Sequence, residues 1–172
     1  CRAGQRPYTV TLAGYGGELE QFTLLECDGS VAIDDIDRLS VLARPPGTPR
    51  PSVPLPPEPD PDQHQLGEWL PSLKLLDPRL AWVLASLAEA FPGRVIYIIS
   101  GYRRDAHDGY HHKGRALDLL VMGVPNEDVF RVCRRMRDVG GGFYPHNTFV
   151  HVDVRPAGTG RAMWIDASKP GE

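Results

Sequence analysis

Between Pro45 and Pro61, nine of 17 residues are proline. Each proline fixes φ and deletes a backbone donor, so this stretch can form neither a helix nor a central strand. It divides the chain into a small strand-rich front unit, 1–44, a semi-rigid proline-rich linker, 45–64, and a larger unit, 65–172. The 172 residues, 41% of them hydrophobic and 24% charged, suffice for one hydrophobic core. A net charge of -3 with interspersed signs gives no electrostatic footprint for nucleic acid. No apolar run is long enough for a transmembrane segment. Three cysteines are too few for a disulfide scaffold and lack zinc-finger spacing. Cys1 and Cys27 can pair across the front unit, whereas Cys133 falls on an apolar helical face. Cys1 at the front is equally compatible with a removed leader, lipid attachment or an arbitrary boundary, and no repeat specifies an oligomer.

In the front unit, residues 8–12 and 20–26 read as strands separated by Gly14, Gly16 and Gly17, and residues 34–43 fit one helical face imperfectly. In the larger unit, Leu66, Trp69, Leu70 and Leu73 have helical spacing against the objection of Pro71. A firmer helix begins with Asp77 as cap and Pro78 in the first position. It buries Leu80, Val83, Leu84, Leu87, Ala88 and Phe91, and stops at Pro92-Gly93. Residues 94–100 form a short apolar run expected to be a buried strand, residues 115–121 a second strand and residues 125–138 a helix. Gly140, Gly141 and Gly142 read as a mobile connector. Residues 149–154 and 161–165 supply the last two strands.

The chemistry concentrates in His111-His112-Lys113-Gly114-Arg115-Ala116-Leu117-Asp118 and in the strand around His151. Alternation puts Phe149, His151 and Asp153 on one face and Val150, Val152 and Val154 on the other, so a histidine there needs a reason for its placement. His111 leaves a loop just before the strand that carries Asp118. Two histidines and a carboxylate form a catalytic zinc ligand set with a fourth position left for water. Gly114 permits a turn that a side chain would obstruct. His112 points elsewhere, His107 either lines the cleft or is a surface histidine, and Tyr144 and Trp164 either border the site or pack.

Ser100-Gly101-Tyr102-Arg103, the pattern His111-x-x-Gly114-x-Ala116-x-Asp118, and Phe149-Val150-His151-Val152-Asp153 together resemble the YcbK-like branch of the M15 and LAS zinc metallopeptidases. The resemblance covers about residues 75–164. It implies an α+β fold with a small antiparallel sheet and helices packed on one side, as in Hedgehog and D-Ala-D-Ala-peptidase domains. It also implies zinc on His111, Asp118 and His151, with Arg103 beside the scissile peptide to bind substrate or stabilise the oxyanion. The implied substrate is a peptidoglycan stem peptide or crosslink, cut by an endopeptidase in the periplasm or cell envelope. A D,D-carboxypeptidase or a non-catalytic zinc-containing binding module are the alternatives. Many relatives carry a glutamate shortly before the third ligand, where this chain has His146, Asn147, Thr148 and Phe149. The general base is then Asp153, favoured by its place on the His151 face, or His146. Asp153 has two further possible roles, orienting His151 or binding zinc itself.

Overall fold

A computed structural model describes residues 6–58, 67–107 and 109–169. The front segment forms the hairpin β1 (Tyr8–Ala13) and β2 (Leu19–Leu25), followed by a 3-10 turn and the short helix α1 (Ile36–Leu42). Beyond the connector come α2 (Arg79–Ala90), β3 (Ile96–Ser100), β4 (Ala116–Val121), α3 (Asn126–Cys133), β5 (Val139–Phe143), β6 (Val150–Val154) and β7 (Ala162–Ile165). Cys27 is disulfide-bonded, and Cys1 lies outside the described residues.

All seven strands join one sheet in the order β2-β1-β3-β4-β6-β5-β7. This is larger than the small antiparallel sheet expected, and it is mixed, because β1 pairs with β3 and β5 pairs with β7 in parallel. The physical reason lies in the connections. Parallel neighbours need long crossovers, and the passage from β1 to β3 runs through β2, α1, the connector and α2. The proline-rich stretch thus separates β1 from β3 in sequence but not in the sheet.

Strand alternation decides which face becomes the core. Ile96 and Ile98 of β3, Leu117, Leu119 and Val121 of β4, and Val150, Val152 and Val154 of β6 join Leu39 and Leu42 of α1, the stripe of α2, and Val129 and Cys133 of α3 in a single hydrophobic cluster. Each fully buried Leu, Ile or Val contributes roughly 1.5–3 kcal/mol. The other face of β4 and β6 is left to Asp118, His151 and Asp153.

Asp77 works at the start of α2 as expected, one residue off, with Oδ1 accepting from Arg79 N at 3.0 Å. Three expectations change. Leu66 lies outside the described residues, and Leu70 and Leu73 form an isolated bridge around Ser72 at φ 60, so the spacing from Leu70 to Leu73 folds as a turn. The helix expected over 125–138 stops at Cys133, and Asp138 takes φ 53 to bring the chain back into β5. Gly140, Gly141 and Gly142 form the middle of β5 rather than a mobile connector. Their bareness is filled by neighbours: a Cβ on Gly141 would stand 2.8 Å from Met163 Sδ, and one on Gly142 would stand 2.6 Å from the Trp164 ring.

Candidate metal centre

Sheet register brings two of the three candidate ligands together. Asp118 on β4 is paired directly with His151 on β6, which sets their side chains next to each other on the same face. His111 arrives from the loop after β3. Its turn is closed by Gly114 at φ 67, whose carbonyl accepts from Asp77 N at 2.8 Å, and a Cβ there would meet the Leu75 carbonyl oxygen. His111, Asp118 and His151 are all at least nine-tenths buried.

The ring nitrogens have defined roles. His111 Nδ1 lies 2.6 Å from the Gly101 carbonyl oxygen, which can only accept, so Nδ1 carries the proton and Nε2 is bare. His151 Nε2 lies 3.2 Å from Asp153 Oδ2, so it donates there and leaves Nδ1 free. His111 Nε2, His151 Nδ1 and Asp118 Oδ1 then stand 3.1, 3.0 and 3.2 Å from one another. Tetrahedral zinc with bonds of roughly 2.0–2.1 Å spaces its ligand atoms about 3.3 Å apart. Three lone pairs at such distances repel unless a cation or a proton stands among them. The donor set therefore fits zinc, and its three atoms form a group able to hold a metal.

The same electrostatics govern the metal-free state. Burial pushes the Asp118 carboxyl upward, but hydrogen bonds and charge from His111 and His151 outweigh it and hold the group well below the usual carboxylate range. At His151, burial opposes the charged ring, yet Asp118 and Asp153 outweigh it and the pKa is raised. A raised folded pKa contributes stability that is whole below the unfolded value of about 6.5 and is lost as pH rises through the folded value. The depressed Asp118 contributes stability present above about 3.9 and lost only in stronger acid. Metal-free protein is thus expected to melt lower at about pH 9 than at about pH 6, with a smaller drop in His151→Gln. Thermal circular dichroism checks this. An equal drop in both proteins would place the titration elsewhere.

The remaining candidates divide. Arg103 Nη1 lies 3.6 Å from Asp118 Oδ2, and Arg103 also lines a groove of about 510 Å³ together with Pro45, Pro46, Thr48, Ser72 and His107. Asp153 has no exposed surface. Its Oδ1 accepts from Arg155 Nε at 2.9 Å, and its Oδ2 faces both Arg155 Nη2 and His151 Nε2, which leaves neither oxygen toward a substrate. His146 is exposed on the turn between β5 and β6. His112 turns away to donate from Nδ1 to the Arg104 carbonyl at 3.0 Å. Trp164 packs 5.3 Å from the His151 ring and donates to the Tyr144 hydroxyl at 3.1 Å, so Trp164 lies against a candidate ligand and Tyr144 lies behind Trp164.

The centre also rests on backbone support that no sequence motif marks. Gly101 N donates to the Ala43 carbonyl at 3.0 Å, and a Cβ on Gly101 would sit 2.8 Å from Ala43. The end of α1 therefore presses on the residue whose carbonyl orients His111. Ser40 adds a second tie, with its Oγ accepting from Leu76 N at 2.9 Å. The only local signal was the glycine itself, following an apolar strand.

Residues 71–153 match the family described as Peptidase M15. The peptidoglycan L,D-endopeptidase MepK of Escherichia coli (strain K12) is 32% identical over 99 residues, which is 49% of this chain and 54% of that protein. A Haemophilus influenzae protein named probable peptidoglycan L,D-endopeptidase MepK is 38% identical over 58 residues, 34% of this chain and 31% of its own length. The chain thus spans about half, or less, of the curated relatives it matches. No solved structure matches it significantly. Among the described residues, no helix is long and apolar enough to cross a membrane.

Proposed function

We propose, from the match of residues 71–153 to the Peptidase M15 family, that the chain is a zinc-dependent endopeptidase acting on peptidoglycan stem peptides or crosslinks. The observation that carries the reading is the convergence of two bare imidazole nitrogens and a carboxylate oxygen within 3.2 Å of each other, beside an arginine that opens onto a groove. Relatives named as endopeptidases favour internal bonds over the carboxypeptidase alternative. Their names, which give peptidoglycan as the substrate, support a reaction in the cell envelope.

In this reading His111, Asp118 and His151 hold zinc. When bound, zinc supplies Lewis acidity to the scissile carbonyl and to water. Arg103 binds the substrate and holds the carbonyl. Its guanidinium is suited to this because Nε is buried without a hydrogen-bond partner among the described residues, while Nη1 stays near Asp118. Asp153, closed off and clamped, keeps His151 Nε2 protonated and Nδ1 free. The proton-transfer role passes to His146, which is exposed and lies on the turn that leads into β6.

Two variants test this division together. Arg103→Ala is expected to lower kcat by about 10²–10³-fold, the size of losing one oxyanion donor. His146→Ala is expected to lower it by about 10²–10⁴-fold, the range of general acid–base catalysis. Both should retain stoichiometric zinc, measured by atomic emission beside mass spectrometry of digested muropeptides. Stoichiometric zinc in the wild type with no cleaved product would instead favour the non-catalytic binding module, a reading supported by the absence of a glutamate ahead of His151.

A further inference from the structure

We infer that Arg155 is a positioning residue that fixes the tautomer of His151 and ties together the two chain segments bearing the histidine ligands. Nothing in the ligand pattern points to it, because it lies beyond the strand that carries His151. The inference rests on the zinc reading only for what the free His151 nitrogen is used for.

The first observation concerns Asp153. A carboxylate with no exposed surface needs compensation, and its charge must be held by the protein. Arg155 supplies it with two donors, Nε to Oδ1 at 2.9 Å and Nη2 to Oδ2 at 3.3 Å. The space is supplied by Gly140 across the pair with β6, where a Cβ would stand 2.1 Å from Asp153 Oδ2. Asp153 is thereby held in one orientation. A carboxylate oxygen held 3.2 Å from His151 Nε2 accepts a hydrogen bond from it, and the Nε2-protonated tautomer leaves Nδ1 free toward Asp118 and His111.

The second observation concerns where the same guanidinium lies. Its Cζ stands 4.8 Å from the centre of the Tyr110 ring, and Tyr110 immediately precedes His111. Tyr110 is itself fixed at the start of β4, because its carbonyl accepts from Arg115 N at 2.8 Å. The backbone of Arg155 is anchored too: its N donates to the Asp138 carbonyl at 2.8 Å, and its carbonyl accepts from Arg79 Nη1 at 2.6 Å. A single side chain, rooted at both backbone groups, thus touches the carboxylate behind His151 and the residue ahead of His111. A lysine could keep the charge but not the planar two-donor fork or the stack on Tyr110.

The test compares wild type, Arg155→Met and Arg155→Lys. Zinc affinity is measured by chelator competition, and the His151 ring is followed by nitrogen-15 NMR in the metal-free proteins at fixed alkaline pH. Arg155→Met is expected to weaken zinc binding about 10–100-fold, the usual effect of losing a group behind a ligand, and to move His151 away from the Nε2-protonated tautomer. Arg155→Lys, with circular dichroism like wild type, should recover part of the affinity and a mixed tautomer. A purely structural role would lower the melting temperature but leave the tautomer unchanged, and that result overturns the inference, as does unchanged affinity in Arg155→Met. Wild-type protein without stoichiometric zinc would sink the zinc-peptidase reading, while the metal-free tautomer comparison would still decide the role of Arg155.

Discussion

His111→Ala is expected to lose stoichiometric zinc and to cleave peptidoglycan peptides at least on the order of 10³-fold more slowly than wild type. The size follows from what a Lewis acid supplies, several kcal/mol of stabilisation, with each 1.36 kcal/mol worth about tenfold in rate. The direction follows from the geometry. His111 Nε2 is one corner of a triangle whose sides are 3.0–3.2 Å, and removing it leaves two ligands and an enlarged cavity. Asp118 then loses one of the two imidazoles that hold its pKa down. Metal analysis, a chelator titration and muropeptide digestion check the three consequences together. Retained metal with retained cleavage would remove the whole site from consideration. Retained metal with lost cleavage would move His111 from ligand to another role. Removing zinc from wild type with a chelator should reproduce the His111→Ala loss, and added zinc should restore activity only in wild type.

The residues of this centre were legible because they break a pattern. His151 and Asp153 alternate with Val150, Val152 and Val154, so a period of two separates a core face from a face that must justify two polar, buried side chains. Asp118 does the same among Leu117, Leu119 and Val121 on β4. What was not legible is non-local. Pairing of β1 with β3 joins Leu12 to Ile96 and Ala13 to Tyr97, residues far apart in sequence, and no local propensity signals it. The early end of α3 reflects the return of the chain at Asp138 rather than the helical periodicity of Val129, Val132, Cys133 and Met136. Which of the roles open to Asp153 the fold favours was not legible for a related reason. Its face was predicted correctly, but its closure from solvent depends on Arg155 and on a strand that reads as a glycine linker.

That glycine strand gives the largest stability effect expected from a single methyl group. Strand propensity is usually a matter of side chains that pack on a pleated surface, and β5 reverses the arrangement: it offers space, and its neighbours fill it. Asp153 from β6 fills the space at Gly140. Gly140→Ala therefore does more than crowd a core. The added Cβ would stand 2.1 Å from Oδ2, so the carboxylate must leave its place between Arg155 and His151. Overpacking costs about 1–3 kcal/mol, and parting a buried charge from its partner about 3–5 kcal/mol. These overlap, so a loss of about 3–5 kcal/mol is expected, lowering Tm by roughly 10 °C in a chain of this size. Gly16→Ala is the control, because a Cβ there meets Glu18 only at 3.7 Å, and its change should stay within about 0.5 kcal/mol. The decisive measurement is the double variant Gly140→Ala with Asp153→Ala. If the two side chains compete for one space, the pair costs less than the sum of the single changes, because the second removes what the first displaces. Simple additivity would mean that the glycine serves backbone freedom instead, and the bond from Asp153 to His151 would have to draw its precision from Arg155 alone.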